Sequence, residues 1–348
     1  MKMRKWLCAG LSIGMLAALT ACGGSTTGDA AGSGSSDSGT YSLSISCDAP
    51  TESITGTIVT EFKRLVEEKS DGAIHVDAYT AGQLGSDKEV MENIVSGQIE
   101  MGVSNSANHT TDIPAAYVFD MPALFDTIEL GRATFDDPEL RSLLNSKYEE
   151  KGIKLLMIGD QAYRETTSNT PLRTKEDFKN LNIRTMTNDI HVAFWKALGA
   201  NPTPMNRSDV FLALQQGLLD AQEDSYVQNL LNKYAEVQKY NCATNHIYNN
   251  ITMVCNKDFY DSLPKEYQDL IDEVSDELLT LCRDMADESV DSSIQALTDA
   301  GMEFVEPDEA TYEWMAEVAE ADVWPLVREK AGADVVDAVI AARDRAAN

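Results

Sequence analysis

From residue 41 onward, segments in which apolar and polar residues alternate take turns with segments whose apolar residues recur every three or four positions. The first pattern predicts strands over residues 41–47, 74–79, 99–103, 153–158 and 183–186. The second predicts helices over residues 53–69, 87–97 and 209–216, the last capped by Ser208. Alternation of this kind is typical of α/β proteins, in which helices cover parallel sheets.

The C-terminal part of the sequence is helical. A long helix is predicted from Pro264 toward Ala300, with an apolar stripe, and more helix follows over residues 308–346. The roughly 300 residues after position 40 suffice for one large or two medium domains. Short helices early and a long helix late favour two α/β lobes bridged by a long element.

The N-terminus has the pattern of an export signal. Residues 1–21 carry three basic residues followed by an uncharged run, which is too short to span a bilayer comfortably. The run ends at Cys22 behind small residues and resembles a bacterial lipobox, which implies cleavage before Cys22 and acylation. An ordinary secretory signal with an incidental cysteine is the alternative. Residues 22–40 are rich in Gly and Ser and predict an unfolded tether.

The charge and the cysteines restrict the possible partners. The net charge of −29 disfavours nucleic acid, because phosphate contact needs basic surface. No C-x-x-C motif or Cys/His cluster at zinc spacing occurs. Cys242 and Cys255 could form a disulfide if residues 241–247 and 250–256 pair as strands, and buried free thiols are the alternative.

Enzymatic signatures are absent from the sequence. The four histidines form no H-E-x-x-H motif, and no phosphate-binding loop of the G-x-x-x-x-G-K-[ST] type occurs. The one G-x-S-x-G string, residues 10–14, lies in the uncharged run of the N-terminal signal and not at a strand-to-helix turn, so it is no nucleophile elbow. We therefore expect a binding protein without a cofactor or metal. A surface hydrolase that uses paired carboxylates remains a remote alternative.

Several segments carry a family resemblance. They are residues 82–87 (GQLGSD), 163–172 (YRETTSNTPL), 180–184 (NLNIR), 198–205 (LGANPTPM), 211–223 (FLALQQGLLDAQE) and 244–246 (TNH). In order and spacing, over roughly residues 41–300, the chain resembles the solute-binding subunits of tripartite ATP-independent periplasmic (TRAP) transporters.

The resemblance implies a fold and a use. The family's fold is of the periplasmic-binding-protein type, with two α/β lobes, a long bridging helix and a ligand cleft between the lobes. On this sequence we place lobe 1 at residues 41–161 and about 250–289, and lobe 2 at residues 162–249 and about 290–348. Members bind carboxylate-bearing solutes and deliver them to membrane subunits. We expect a monomer, held outside the cytoplasmic membrane through Cys22, in a periplasm or on a Gram-positive surface.

Two arginines match the family's anion site. Arg184 corresponds to the arginine that clamps the ligand carboxylate, and a guanidinium on a short strand suits that role because its planar fork bonds a carboxylate bidentately. Arg164 matches a second arginine that supports the anion site in some members. The alternative for Arg184 is a structural ion pair with an acid of the protein, and the alternative for Arg164 is a surface position or packing within a lobe.

Three further residues are candidates for ligand contact. Asn105 follows the strand over residues 99–103, where some members place a polar contact. Asp87 lies in the turn that opens a helix, where an N-cap role is the alternative. Glu52 lies in the loop after the first strand, where the family often contacts the ligand.

Two positions depart from the family pattern. Arg207 stands where an aromatic residue is common, and Asp224 stands where Asn is usual. We interpret them as a coupled change, in which the two side chains pair across the site or divide a polar ligand between them. This favours a hydroxylated sugar acid, such as a uronate or aldonate, over succinate. The alternative ligands are a C4-dicarboxylate and an amino-bearing acid, and the alternative role is that of a receptor for another transporter or a sensor. The alternative for Arg207 and Asp224 is that both side chains point to solvent.

Overall fold

A nine-stranded mixed sheet organises residues 40–347, the part of the chain that the computed structural model describes. The strands are β1 (Tyr41–Ser46), β2 (Ile74–Tyr79), β3 (Met101–Asn105), β4 (Ile153–Ser168), β5 (Asn182–Thr185), β6 (Asn201–Pro204), β7 (Ala221–Asp224), β8 (Tyr240–Asn256) and β9 (Glu303–Val305). Their order is β2-β1-β3-β8-β4-β7-β5-β6, with β9 beside β8. The predicted signal, Cys22 and the tether up to residue 39 lie outside the described residues.

Helices connect and cover these strands, as the alternating pattern predicts. They are α1 (Ile54–Lys69), α2 (Asp87–Val95), α3 (Ile128–Asp136), α4 (Pro138–Glu149), α5 (Asp189–Ala197), α6 (Arg207–Gln215), α7 (Tyr226–Leu231), α8 (Lys257–Ser262), α9 (Lys265–Asp299), α10 (Glu309–Val318), α11 (Trp324–Ala331) and α12 (Ala333–Ala346). Within residues 40–347, no helix combines the length and the apolar character that crossing a membrane requires.

The two longest strands run antiparallel to each other through the middle of the sheet. β4 and β8 pair from Ile153 opposite Asn256 to Ser168 opposite Tyr240. Their pairing shifts register at three points, one of them beside Ala162, which has a left-handed backbone with φ of 61°. Sequence alternation predicted only the first part of β4. Nearly all residues of this strand are buried, so its polar and apolar side chains do not lie on opposite faces of the sheet and no alternating pattern results.

The disulfide considered for Cys242 and Cys255 does not form, and the alternative of buried free thiols holds. Residues 241–247 and 250–256 are not a hairpin but two halves of the continuous strand β8. Thirteen residues of extended strand separate the two thiols by roughly 40 Å, far beyond disulfide reach. All four cysteines in residues 40–347 are buried free thiols.

The long helix α9 begins one residue after the predicted Pro264 and spans about 52 Å. It packs against β4, α1 and α7, so it contacts elements of both predicted lobes. Its buried stripe includes Ile271, Val274 and Leu278, as the periodicity predicts.

Candidate ligand-binding site

A narrow cavity of about 30 Å³ opens where four chain segments converge at the ends of β1, β5, β6 and β7. Its lining residues are Asp48, Ser86, Asp87, Lys88, Asn108, Arg184, Met186, Thr187, Met205, Asn206, Arg207 and Asp224. A wider groove of about 500 Å³ shares four of these residues and adds Phe211, Asn232 and Tyr234. Charged side chains of both signs line the cavity, so it suits a polar, ionised ligand.

Arg184 is a buried cation that has no acidic partner among the described residues. It lies on β5, between β6 and β7, and is only 4% exposed. Its Nε and Nη2 donate to the backbone oxygen of Met205 at 2.9 and 2.7 Å. Within residues 40–347 it forms no ion pair, and burial lowers its pKa. Because Nη1 makes no hydrogen bond there, one side of the guanidinium fork is free to bind a carboxylate.

Arg164 is held differently, by carboxylates of the protein itself. It lies on β4, is buried, and does not line the cavity. Its Nε pairs with the Glu223 carboxylate, and its Nη2 donates to the Glu223 backbone oxygen at 2.7 Å. Its Nη1 lies 3.5 Å from Asp224 Oδ1. This geometry makes Arg164 part of a buried ion pair that supports the wall of the cavity through β7, a role that the sequence did not indicate.

Glu223 connects Arg164 to two buried histidines. Its carboxylate lies 3.4 Å from His191 Nδ1 and 3.3 Å from His246 Nε2. Burial alone would raise the pKa of Glu223, but Arg164 and His191 outweigh burial and hold that pKa well below its usual range. The sequence did not indicate that Glu223 joins Arg164 to the two histidines. Its one signal was that Glu223 lies on β7 directly before the candidate site residue Asp224.

Arg207 and Asp224 contact each other, as the coupled change predicts. Arg207 Nη1 lies 3.2 Å from Asp224 Oδ2, and its Nε lies 3.6 Å from Asp48 Oδ1. Asp224 is 3% exposed and the Arg207 side chain is 17% exposed, so neither points freely to solvent. The predicted cap at Ser208 is wrong. α6 begins at Arg207 with the extended Asn206 before it, and this start places Arg207 at the cavity.

Asp87 lies at the cavity but does not cap α2. Ser86 is the cap and forms a reciprocal capping box with Glu89, so the N-cap alternative for Asp87 is wrong. Asp87 Oδ1 instead accepts from the backbone N–H of Asp48 at 2.7 Å. Burial, and then the neighbouring carboxylate of Asp48, raise the pKa of Asp87 well above its usual range.

The other two predicted contacts lie away from the cavity lining. Asn105 caps a short 3₁₀ helix by accepting from the Ala107 N–H at 2.9 Å, and its amide donates to Asn249. Glu52 is exposed, because the chain turns at Ser53 to begin α1.

Asp48, Lys88 and Asn108 were missed by the sequence reading, although all three line the cavity. Asp48 had a signal, since it follows β1 and the carboxyl ends of neighbouring parallel strands meet at one edge of a sheet.

Comparison with known proteins identifies the family. A sequence model of the bacterial extracellular solute-binding proteins, family 7, matches residues 45–328. The C4-dicarboxylate-binding periplasmic protein DctP of Rhodobacter capsulatus is 32% identical over 286 residues, which cover 81% of this chain and 85% of that protein.

Solved structures agree in fold. A sugar acid binding protein from Advenella mimigardefordensis, in complex with galactonate, has a TM-score of 0.83 and 25% identity, covering 88% of this chain and 99% of that one. A TRAP periplasmic solute-binding protein from Shewanella oneidensis, with bound succinate, has a TM-score of 0.81 and 27% identity, covering 87% and 99%. The predicted two-lobed α/β fold is therefore confirmed. The chain belongs to the extracytoplasmic solute-binding proteins of TRAP transporters, which are binding proteins and not enzymes.

Proposed function

We propose that the solute of this receptor is a hydroxylated sugar acid, such as a uronate or an aldonate, whose carboxylate binds Arg184. The observation that carries the proposal is the buried guanidinium, which has a backbone carbonyl but no acid as its partner in residues 40–347. An uncompensated buried charge is costly, so a ligand that supplies the missing anion gains affinity from it.

The charged groups beside Arg184 favour hydroxyls over a second carboxylate. Asp224 stands at the cavity as an acceptor, already paired with Arg207 at 3.2 Å. A ligand hydroxyl can donate to this carboxylate, whereas a carboxylate would be repelled by it. The galactonate-bound relative supports this choice, while the succinate-bound one supports a C4-dicarboxylate as the second candidate.

Ligand entry requires the cavity to widen. The narrow cavity has room for only a few water molecules, and a sugar acid needs several times that room. We propose that the two predicted lobes, residues 41–161 with 250–289 and residues 162–249 with 290–348, separate by bending β4 and β8. The register shift beside Ala162 and the left-handed Asn245, at φ of 45°, support a hinge in these strands.

Attachment and delivery complete the proposal. We propose that Cys22 is acylated and tethers a monomeric receptor to the membrane outside the cytoplasm, where it hands the acid to the TRAP membrane subunits. Labelling cells with radioactive palmitate tests the anchor. Label should appear in the wild type and in Cys47→Ala, whose thiol is buried, and should be lost in Cys22→Ala. Label retained in Cys22→Ala would contradict the anchor.

A thermal-shift and calorimetric screen of residues 41–348 tests the ligand. Galactonate or galacturonate at 100 times its dissociation constant should stabilise the protein by about 2.7 kcal/mol. The double variant Arg207→Phe, Asp224→Asn restores the family's usual residue types. It should weaken the binding of sugar acids relative to the binding of succinate. An unchanged preference would show that the pair does not contact the ligand.

A further inference from the structure

Asp48 and Arg207 face each other at the cavity without forming a hydrogen bond. Arg207 Nε lies 3.6 Å from Asp48 Oδ1, which is longer than the roughly 2.7–3.2 Å of an N–H···O hydrogen bond. Both atoms are buried, and neither has a hydrogen-bond partner within residues 40–347. Because an unsatisfied buried donor or acceptor is unfavourable, the pair offers one N–H and one carboxylate oxygen to a ligand.

Neighbouring residues hold both side chains in place and leave these two atoms free. Arg207 Nη1 donates to Gln228 Oε1 at 2.8 Å and lies 3.2 Å from Asp224 Oδ2. The backbone N–H of Asp48 donates to Asp87 Oδ1 at 2.7 Å, and the other Asp48 oxygen, Oδ2, lies 3.5 Å from the Asp87 backbone nitrogen. The donor and the acceptor are therefore positioned before a ligand arrives, which lowers the cost of binding one.

The pair lies where the narrow cavity meets the wider groove, because Asp48 and Arg207 line both of them. Arg184 lines the narrow cavity. A ligand whose carboxylate binds Arg184 can therefore extend toward the pair with its next polar group. Asp48 follows β1 in predicted lobe 1, and Arg207 opens α6 in predicted lobe 2, so a group bound to both atoms contacts both lobes.

We propose that Asp48 and Arg207 form the subsite for one hydroxyl of the sugar acid, which accepts from Arg207 Nε and donates to Asp48 Oδ1. This inference rests on the proposed function, because it assumes that the ligand carboxylate binds Arg184. A hydroxyl oxygen about 2.8 Å from both atoms fits beside the line of 3.6 Å that joins them. A hydroxyl suits the subsite because it donates and accepts at the same oxygen.

Other ligand groups satisfy only one side of the subsite or neither. A carboxylate accepts from Arg207 but is repelled by Asp48, and an ammonium donates to Asp48 but is repelled by Arg207. A methylene, as in a deoxy analogue, leaves both buried atoms without a partner. Sites built to bind a hydroxyl reject analogues that lack it, so the subsite selects a hydroxyl at one defined position of the ligand.

Isothermal titration calorimetry with galactonate and each of its monodeoxy analogues tests the proposal. In the wild type, replacing one particular hydroxyl by hydrogen should weaken binding at least about tenfold. In Asp48→Ala the acceptor is absent, and removing the same hydroxyl should weaken binding less than about threefold. The ratio of the two affinities is the readout, because the loss of a negative charge also changes the binding of every anion.

Further variants test whether both residues bind the same hydroxyl. Arg207→Lys keeps a cation beside Asp224 but lacks the Nε–H, so its discrimination at that same hydroxyl should also fall below about threefold. Asp48→Asn keeps an oxygen acceptor and should retain a discrimination of at least about threefold. Asp291→Ala, an exposed position on α9 that does not line the cavity, is the control for the lost charge and should keep the wild-type ratio.

Several outcomes would overturn the inference while the receptor function stands. The tenfold loss could persist in Asp48→Ala, or Asp48→Ala and Arg207→Lys could lose discrimination at different hydroxyls, and in either case the two residues do not share one hydroxyl. The subsite is also absent if no single hydroxyl costs the wild type tenfold, or if succinate binds and galactonate does not. If no carboxylic acid binds, the proposed function fails as well. Thermal unfolding of each variant confirms that it is folded.

Discussion

Replacing Arg184 by Met should move ligand affinity and the stability of the free protein in opposite directions. Two guanidinium nitrogens hold the Met205 oxygen, while Nη1 and the second proton of Nη2 remain for a carboxylate. Hydrogen bonds to a charged group contribute about 1.5–3 kcal/mol each, so at the lower end of that range losing two should cost about 3–4 kcal/mol. This corresponds to a few hundredfold in the dissociation constant.

The free protein should not be weakened by the same substitution. Arg184 is 4% exposed and lacks an acidic partner in residues 40–347, so its burial opposes folding. An apolar side chain of similar length removes that cost, and we expect the unfolding free energy to stay level or rise by up to about 2 kcal/mol. A residue that only stabilises the fold would show the reverse sign.

Calorimetric titration with galactonate, and thermal unfolding without ligand, measure the two effects. Arg184→Lys should recover less than about a tenth of the lost affinity, because an ammonium lacks the planar fork. Arg173→Met is the matched control, since Arg173 is exposed and pairs with Glu303 on the surface at 3.0 Å. Wild-type affinity in Arg184→Met, or a clear loss of stability without ligand, would refute the reasoning.

Three further results are expected. Arg164→Met should destabilise the protein by about 3–5 kcal/mol in chemical denaturation, because it leaves the buried Glu223 carboxylate without its guanidinium partner. A loss below about 1 kcal/mol, the contribution of a surface ion pair, would contradict a stabilising buried pair. Burial raises the pKa of Glu165 to about 8, above its value in the unfolded chain. The folded protein therefore holds this proton more tightly, and its unfolding free energy should fall as the pH rises from about 4.5 to 8, by up to about 1.4 kcal/mol per pH unit. Glu165→Gln should remove this decline, and an unchanged pH profile of stability in this variant would show that Glu165 does not cause the decline. Cys242 and Cys255 should react with a thiol reagent only after unfolding, and reductant should not shift the melting temperature.

The fold could be predicted from the sequence where one face of an element is buried. β1, β2 and α1 match their predicted bounds within one residue, because their apolar residues repeat at the period of the element. The second half of β4 could not be predicted in this way. It is buried on both faces and carries polar residues such as Arg164 and Glu165, whose partners come from β7 and from Asn245.

The site could be predicted only in part, for a related reason. The motif that contains Arg184 gives its strand, and the departures at Arg207 and Asp224 indicate a pair that the structure brings to 3.2 Å. The loop after β1 was the harder case. Sequence indicated that this loop reaches the ligand, but the turn at Ser53 exposes Glu52 and leaves Asp48 at the cavity. Which loop residue points inward depends on backbone turns that side-chain patterns do not encode.

A crystal structure of residues 41–348 with galactonate tests the central claim most directly. The claim predicts a carboxylate oxygen of the ligand within about 2.7–2.9 Å of an Arg184 guanidinium nitrogen. A galactonate bound elsewhere, or an Arg184 that pairs with a carboxylate of the protein in the complex, would contradict it.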